Sequence, residues 1–505
     1  MPVPELPDFT PPPKPSILAR TARGAGWIFA FRAVTRVIGT ASTFILAMLL
    51  LPVDFGVAAL GTIFLQSVEI LAYVGVEDAL VREKNPDRAL YDTGFTINLL
   101  RGVLMALVLV GLAVPVADFY HSPPLINVML MLALAALLDA CGNIGMVDYR
   151  RNFEFDREFI WLTVPRLVQV GLMIACAIIF QNYWALIVGF VALRVVKLWL
   201  GYRMHPYRPR LTLVAWRQLL GYSSWSWAVS MAILVREKVP TALIGRLLEP
   251  QYVGMFTIGS DLAGLPVSEL VAPASRAAFS GFSAGRHEGA EAAGIYLNVV
   301  SVLAAITVPA GVGLSMVADV LVRLALGPTW LETVPLIALL GLHASIAVYG
   351  YLGWTLFFAH GRLGLVFAIT MVSAVTRTVL LVILLPQYGL VGAAIAILAS
   401  ALFEDVAYVQ SVRYYFSTSY SVLLARNWRL FAATGMMGGV MYWTGLGWAT
   451  IQGSRVDLLW HLGLVVPAGA LVYAASLVAF WSVAGKPAGP EADMLAYIRR
   501  RLSRR

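Results

Sequence analysis

The sequence predicts an all-α polytopic membrane protein with about 14 transmembrane helices, arranged as two six-helix lobes in a pseudo-twofold relation plus two C-terminal helices. Apolar stretches, each close to the ~20 residues that a helix needs to cross a bilayer, fill the chain almost from end to end. Of the 505 residues, 59% are hydrophobic and 13% are charged, whereas soluble domains carry roughly 25% charged residues. No stretch is left for a soluble catalytic domain. The function is therefore expected to depend on polar residues inside the membrane, where they are costly to keep.

The apolar stretches divide the chain into six segments. The predicted spans run over 27–51, 55–80, 94–117, 125–147, 159–180, 184–202, 219–246, 252–275, 293–322, 334–358, 363–385, 389–412, 430–450 and 457–482. They predict a disordered cytoplasmic tail (1–26), an N-lobe (27–202), a cytoplasmic linker (203–218), a C-lobe (219–412), two accessory spans (413–482) and a basic cytoplasmic tail (483–505). Within the linker, the segment 211–216 is either an interfacial segment or an ordinary loop.

A weak internal repeat predicts the two lobes. Pro52 to Gly56 and Pro250 to Gly254 both follow the pattern Pro-x-x-x-Gly between two long spans, about 200 residues apart. Six spans separate the two copies, and an even number places them on the same side of the membrane. Parallel repeats of this kind are one known transporter plan, in which the substrate is held between the halves.

The distribution of charge predicts the orientation. Most of the 37 Lys and Arg lie in alternate connections and at the two termini, and the opposite connections hold only Arg246, Arg323 and Arg455. Because basic residues concentrate on the cytoplasmic side of membrane proteins, both termini are expected to be cytoplasmic. The basic C-terminal tail is interpreted as an orientation signal and a contact for anionic lipids, and not as a nucleic-acid arm.

Six cations within the spans are candidates for binding an anionic headgroup. The seventh span carries Arg236 and Lys238, and Pro240 removes the helical partner of the Arg236 carbonyl. The other four are Arg377, Arg166, Arg32 and Arg36. Arginine suits a diphosphate because its planar fork makes paired bonds to phosphate oxygens. The alternatives are structural pairing: Arg236, Glu237 and Lys238 with neighbouring helices, and Arg377 and Arg166 with Asp139, Glu69 or Asp261. Arg32 and Arg36 could instead extend to the interface.

Acidic residues inside the spans are candidates for coupling transport to an ion. Glu69 and Asp261 occupy spans two and eight, which are repeat equivalents, and Glu237 and Asp139 are further candidates. A carboxylate at membrane depth binds a proton or Na⁺, or it neutralises a nearby arginine, and the sequence leaves both roles open. Glu404 and Asp405 are expected to be interfacial.

Several other kinds of site are not supported. No His has metal-ligand spacing with Cys or carboxylate, so no metal site is predicted. Cys141 and Cys176 both lie in apolar runs and are interpreted as small core residues. No P-loop is present, no catalytic residue is proposed, and no cofactor is expected beyond a coupling proton or sodium ion.

Three segments resemble a known family. Leu50 to Leu60, with the sequence LLPVDFGVAAL, looks like the opening motif of polysaccharide repeat-unit exporters, the Wzx-like flippases of the multidrug/oligosaccharidyl-lipid/polysaccharide exporter superfamily. Ile244 to Leu248 and Tyr149 to Phe155 are similar to two further motifs of that family, in the same order. The chain departs from the family at Arg236-Glu237-Lys238, where members often have an Asp, and this puts in doubt any ion coupling through that Asp.

The resemblance implies a transporter of the bacterial inner membrane and not an enzyme. It implies that the substrate is a polyprenyl-diphosphate-linked oligosaccharide, moved to the periplasmic leaflet by alternating access for exopolysaccharide, lipopolysaccharide or capsule synthesis. Polymerase and export machinery are the expected partners. The alternatives are a cation-coupled multidrug antiporter of the same superfamily and a membrane glycosyltransferase or polymerase. The short connections on the exported side count against an enzyme of that last kind.

Overall fold

The computed structural model describes residues 34–83, 86–219, 224–284, 290–487 and 491, and these residues form helices and no β-strand. Eight of the described helices are long and apolar enough to cross a membrane, or nine if one bent pair is counted as a single span. The chain is therefore an all-α, multi-pass membrane protein, as predicted. Each of the fourteen predicted spans overlaps a described helix, but the count of fourteen crossings stays a prediction.

The first half of the chain comprises helices α1 to α8. Their bounds are α1 Val34–Leu49, α2 Pro52–Leu71, α3 Val76–Arg82, α4 Arg88–Phe119, α5 Pro124–Ala140, α6 Val147–Arg151, α7 Phe155–Phe180 and α8 Trp184–Met204. Helix α2 begins where Pro52 occupies its first turn and the Asp54 carboxylate accepts the backbone N–H of Leu51 at 3.0 Å. The predicted tail 1–26 lies outside the described residues, as does Arg32.

The remaining chain comprises helices α9 to α17. Their bounds are α9 Trp216–Leu219, α10 Ser224–Leu247, α11 Pro250–Ala263, α12 Ala272–Ala284, α13 Ala290–Ala325, α14 Val334–Ala359, α15 Leu363–Phe416, α16 Tyr420–Trp443 and α17 Arg455–Val483. A π-helical turn, Val267–Val271, joins α11 to α12, and a 3₁₀ turn, Pro328–Thr333, joins α13 to α14. Helices α10 to α15 are called the second half below.

Helix α15 is a hairpin of two arms. Its backbone leaves the helical conformation at Gly389, where φ is 54°, a left-handed value that glycine adopts without steric cost. Arg377 Nε in the first arm donates to Ser400 Oγ in the second arm at 3.0 Å. This contact between residues 23 apart is impossible along one straight helix. The arms therefore correspond to the eleventh and twelfth predicted spans.

One face of several helices is both apolar and exposed. On α4 the exposed side chains include Leu100, Val103, Leu104 and Leu107, whose spacing places them on a single helix face. Exposed apolar patches of this extent are rare on soluble proteins. This face is interpreted as the surface that contacts lipid.

The two Pro-x-x-x-Gly motifs pack against each other. Helices α2 and α11 begin at Pro52 and Pro250 and cross at their first turns. A β-carbon added to Gly56 would overlap the carbonyl oxygen of Pro250, and one added to Gly254 would overlap that of Pro52. The contact is thus reciprocal, as expected for two copies related by a pseudo-twofold axis. We call this end of the molecule the closed end.

Two aromatic contacts extend the closed end. Trp330, in the 3₁₀ turn of the second half, is fully buried, and its Nε1–H donates to the carbonyl oxygen of Ala47 in α1 at 3.2 Å. Its ring meets Phe55 of α2 edge to face, with centroids 5.4 Å apart. On α10, the Arg246 guanidinium lies 5.1 Å from the centre of the Phe119 ring.

The segment between the halves is docked on the start of α4. The backbone N–H groups of Arg210 and Thr212 donate to Asp92 Oδ1 and Thr96 Oγ1, both at 3.0 Å. The Tyr207 hydroxyl donates to Asp92 Oδ1 at 2.6 Å, and burial, together with this hydrogen bond, raises the pKa of the phenol. The described part of 203–218 is therefore an ordered connection fixed to the first half. The lobe and tail boundaries given above stay predictions.

Candidate functional site

A cavity of about 990 Å³ lies between the two halves, at the end opposite the closed end. Helices α1, α7 and α8 line it from the first half, and the π-helical turn and α12 line it from the second. Four cationic side chains and one carboxylate face it: Arg36, Arg166, Lys197, Arg276 and Glu269. We call this space the central cavity. Its lining carries an excess of positive charge.

Only part of that charge is neutralised. Arg36 Nε lies 2.8 Å from the Glu269 carboxylate, which belongs to the π-helical turn. Arg166 Nη1 donates to the amide oxygen of Gln169 at 2.8 Å, which leaves its charge unbalanced. In the part of the chain that the structure describes, neither Arg166 nor Arg276 has a carboxylate within 4.0 Å. The central cavity can therefore accept an anion without first breaking an ion pair at these two side chains.

A recess of about 380 Å³ continues the central cavity and shares Arg36 and Arg166 with it. Hydroxyl groups dominate its remaining polar lining: Thr35, Thr40, Thr43, Ser260 and Ser268. Asp261, a predicted coupling residue, is exposed to this recess, and Arg36 and Lys238 are its cationic neighbours. Hydroxyls and a carboxylate next to guanidinium groups can hydrogen-bond a ligand that carries both hydroxyl and anionic groups.

Two of the other three acidic candidates, Asp139 and Glu69, belong to a polar cluster of the first half. Asp139 lies 3.4 Å from Lys197, whose ammonium group is also 4.8 Å from the centre of the Trp161 ring. Glu69 is surrounded electrostatically by Arg194, Asp139, Arg101 and Lys197. Arg166 and Arg377 form no ion pair with Asp139, Glu69 or Asp261 among the described residues, so that pairing hypothesis is wrong. Lys197 is the ion-pair partner of Asp139, and Arg194 is a cationic neighbour of Glu69.

A second cavity, of about 390 Å³, lies within the second half between α10, α14 and α15. We call it the lateral cavity. Arg236 pairs with Glu404 and, through Nη2 at 3.0 Å, with Glu237. Ser373 Oγ donates to the other oxygen of Glu404 at 2.8 Å. Glu404 is buried and fully engaged, so the prediction that it is interfacial is wrong. The sequence could not show this, because two adjacent carboxylates near the end of a span look the same whether they are buried between helices or exposed at the membrane interface.

Pro240 explains how Arg377 is held. Proline has no N–H, so the carbonyl of Arg236, four residues earlier, lacks its helical partner. Arg377 Nη1 donates to that carbonyl oxygen at 3.2 Å, and its Nε donates to Ser400. Arg377 is buried. It serves as a bridge between α10 and both arms of α15.

The structure therefore separates the predicted cations into two groups. Arg36 and Arg166 line the central cavity, whereas Arg236 and Arg377 line the lateral cavity. Lys238 donates to the amide oxygen of Gln66 on α2, between the halves. Two residues of the central cavity, Lys197 and Arg276, were not singled out from the sequence. Their position next to span ends made them look like ordinary basic residues of the membrane boundary.

An apolar groove of about 650 Å³ runs between α13, α16 and α17. It shares no lining residue with either cavity. Its lining includes one charged residue, Glu491, whose carboxylate is held by Arg429 at 2.7 and 3.1 Å. Among the described residues, the groove therefore offers no free charged group for an anionic headgroup.

Comparison with solved structures agrees with this architecture. The chain superposes on the lipid II flippase MurJ in an inward closed conformation with a TM-score of 0.71, at 13% identity, over 92% of this chain and 99% of MurJ. An inward-facing multidrug resistance MATE transporter gives a TM-score of 0.52 at 14% identity, over 76% of this chain and 94% of the transporter. At these identities the likeness shows the fold alone.

Comparison of sequences identifies the family. The succinoglycan biosynthesis transport protein ExoT of Rhizobium meliloti is 21% identical over 66% of this chain and 68% of its own length. The lipopolysaccharide biosynthesis protein WzxC of Escherichia coli is 22% identical over 64% of this chain and 67% of its own length. A family model described as "Polysaccharide biosynthesis protein" matches residues 45–335. That match covers more than half of the chain, which therefore belongs to this family of polysaccharide biosynthesis proteins.

Proposed function

We propose that this protein moves polyprenyl-diphosphate-linked oligosaccharide repeat units from the cytoplasmic to the periplasmic leaflet of the bacterial inner membrane. Both termini are cytoplasmic in this proposal, and the closed end faces the periplasm. The observation that carries the proposal is the pair of guanidinium groups, Arg166 and Arg276, that face the central cavity without a carboxylate partner among the described residues.

The central cavity supplies the groups that such a substrate requires. A diphosphate has several oxygens, and each guanidinium can make two parallel hydrogen bonds to them. Arg166 and Arg276 would hold the diphosphate, with Arg36 and Lys197 adding positive potential. The hydroxyls that line the recess, such as that of Thr40, would bind sugar hydroxyls. The prenyl chain would remain in the bilayer and pass through a lateral gap between the halves.

Transport would follow from rocking of the two halves as bodies. In the described state the halves touch at the closed end and separate around the central cavity. Opening the closed end while closing the central cavity on the other side would transfer the headgroup. Such alternating access is the usual mechanism of transporters built from two parallel repeats.

The names of relatives support this substrate class over the alternatives. ExoT and WzxC are named for succinoglycan and lipopolysaccharide biosynthesis, and export for exopolysaccharide, lipopolysaccharide or capsule synthesis is the corresponding role here. A drug antiporter for organic cations would require a cavity dominated by carboxylates. Among the described residues that line the central cavity, the single carboxylate, Glu269, is already paired with Arg36.

The test is complementation of a deletion strain of the source organism. Arg166→Gln with Arg276→Gln should reduce exported polysaccharide by about tenfold or more, because each lost charge-assisted contact is worth roughly 1.5–3 kcal/mol. Lipid-linked intermediates should accumulate in the inner leaflet. The matched control is Arg82→Gln with Arg203→Gln, two exposed arginines outside the cavity lining. Unimpaired export by the first pair, at equal membrane abundance, would refute the cationic-cavity proposal.

A further inference from the structure

The lateral cavity contains a titratable pair that the proposed substrate site does not use. His343 Nε2 on α14 lies 3.0 Å from Asp405 Oδ2 on the second arm of α15. The two side chains are 21% and 14% exposed, and both line the lateral cavity. The sequence placed Asp405 at the interface, whereas the structure places its carboxylate between helices. An imidazole paired with a carboxylate in a cavity is a group that can take up and release a proton.

The backbone of α14 is shaped to receive this carboxylate. His343 and Gly350 are seven residues apart, which places them on the same face of a helix two turns apart. A β-carbon added to Gly350 would overlap Asp405 Oδ1. Glycine at this position thus makes the space that the carboxylate occupies, while His343 contacts its other oxygen. The pair is held by two independent features of α14.

The formal charges that line the lateral cavity do not cancel. The ionisable groups that line the lateral cavity come from α10, α14 and both arms of α15: Arg236, Glu237, His343, Tyr351, Arg377, Glu404, Asp405 and Tyr408. Two guanidinium groups face three carboxylates. One negative charge is therefore left over when the imidazole is neutral. An imidazolium balances it.

We infer that His343 and Asp405 form the proton-binding site that couples transport to a pH gradient; this inference rests on the proposed transport function. A proton from the aqueous phase adds to the Nδ1 lone pair of His343, while Nε2–H continues to donate to Asp405. The N–H bond formed at Nδ1 replaces an O–H bond of the donating hydronium ion, which leaves as water, and no bond of the protein breaks. Sodium is disfavoured because a hard cation prefers a shell of oxygen ligands, and here an imidazole nitrogen occupies one side of the carboxylate.

The position of the pair links it to the contact between the halves. Asp405 and Glu404 are adjacent on α15 and project about 100° apart, so one contacts α14 and the other contacts Arg236 of α10. Helix α10 in turn contacts α2 of the first half through Lys238 and Gln66. A change of charge at His343 therefore acts on a helix that touches both halves.

The experiment measures conformation without substrate, so its outcome is independent of the proposed cargo. Spin labels replace Trp199 on α8 and Tyr414 near the C-terminal end of α15, two exposed residues at the end of the molecule that holds the central cavity. The full-length protein is used, with both native cysteines replaced by serine. Distances between the labels are measured by electron paramagnetic resonance at about pH 5.5 and about pH 8, on either side of the pKa of an ordinary histidine side chain. Wild type should change its ratio of conformers by about threefold or more. His343→Gln and Asp405→Asn should lose most of that change.

Three controls fix the interpretation. His121→Asn removes an imidazole from an exposed turn and should retain the wild-type response. Gly350→Ala leaves both titratable groups in place but displaces the carboxylate, so it should also reduce the response. Sodium added at constant pH should change nothing. The inference is overturned if the wild type ignores pH, if both His343→Gln and Asp405→Asn respond like wild type, or if sodium reproduces the effect of acid. Normal pH responses with failed export would instead count against the proposed cargo.

Discussion

The same two halves of the chain meet in opposite ways at their two ends. At the closed end, α2 and α11 approach so closely that neither Gly56 nor Gly254 has space for a side-chain carbon, and Trp330 fills the adjacent core. At the other end the halves are held apart by a cavity lined by four cations and one carboxylate. One contact is close-packed, and the other is an open, charged cavity.

This difference indicates how the molecule can change conformation. Close packing of small residues gains dispersion energy only while the fit is maintained, so the closed end behaves as a contact that is either made or broken. The central cavity has no such fit to lose, and an anion placed there would reduce the repulsion among its cations. Binding at one end can therefore favour a rearrangement at the other without a continuous path of specific contacts.

The largest expected effect comes from filling the glycine contact. Gly56→Ala with Gly254→Ala places two β-carbons against backbone oxygens, which cannot move aside as a flexible side chain could. The closed end should no longer form, and exported polysaccharide should fall by about tenfold or more, since overpacking of this kind costs roughly 1–3 kcal/mol per site. Spin labels at Leu51 and Leu247, both exposed near this end, should report an increased distance.

The matched control uses glycines with open space. A β-carbon on Gly111 or Gly171 meets no atom within 4 Å, so Gly111→Ala with Gly171→Ala should leave export and the label distance unchanged. Alanine is also the better helix former by about 1 kcal/mol. If the Gly56 and Gly254 variants behaved like this control, the closed end would not be the contact that defines this conformation.

A smaller effect separates the buried ion pair of the lateral cavity from the exposed ion pair of the central cavity. Glu404→Gln removes the buried carboxylate that pairs with Arg236 in the lateral cavity and leaves it only the more exposed Glu237. Breaking a buried pair in this way typically costs about 3–5 kcal/mol, and partial exposure of Arg236 places the expected loss near the low end, about 3 kcal/mol. Thermal unfolding of detergent-solubilised protein should show this as a clear decrease in midpoint.

Glu269→Gln is the corresponding change in the central cavity. The Arg36–Glu269 pair has side chains 41% and 45% exposed, and exposed pairs contribute at most about 1 kcal/mol. Thermal stability should therefore change little, while the net positive charge of the central cavity rises. If Glu404→Gln and Glu269→Gln lowered thermal stability equally, the distinction would fail: the cations of the lateral cavity would not differ from those of the central cavity in their contribution to stability.

The sequence predicts the class of fold and the repeat because both depend on long patterns. Spans follow from stretches of about twenty apolar residues, and Pro52 and Pro250 mark equivalent helix starts whose glycines then meet in space. Pro240 also had a local consequence that could be anticipated, since any proline frees the carbonyl four residues earlier. Arg377 is the group that uses that carbonyl.

The arrangement of the candidate sites could not be predicted, because it depends on which helix faces which. Arg166 and Arg377 look alike in sequence, yet one faces the central cavity and the other is fixed by Ser400 and the Arg236 carbonyl. The pairing of His343 with Asp405 joins residues 62 apart, and no spacing rule relates them. Lys197 and Arg276 are recognised as site residues only because the folded helices place both of them in the lining of the central cavity.

The smallest expected effect tests whether Trp330 contributes to the closed end specifically. Trp330→Phe removes the indole N–H that donates to Ala47 across the halves, a loss of roughly 1 kcal/mol. The ratio of open to closed conformers, reported by the spin labels at the closed end, should increase by about fivefold.

Trp448→Phe is the matched control, because its indole donates to Ser315 between α13 and the connection after α16, away from the contact of the halves. It should lower thermal stability by a similar amount and leave the label distances unchanged. Should both variants shift the distances equally, the effect of Trp330 would be one of general stability, and the closed end would depend on the two glycines alone.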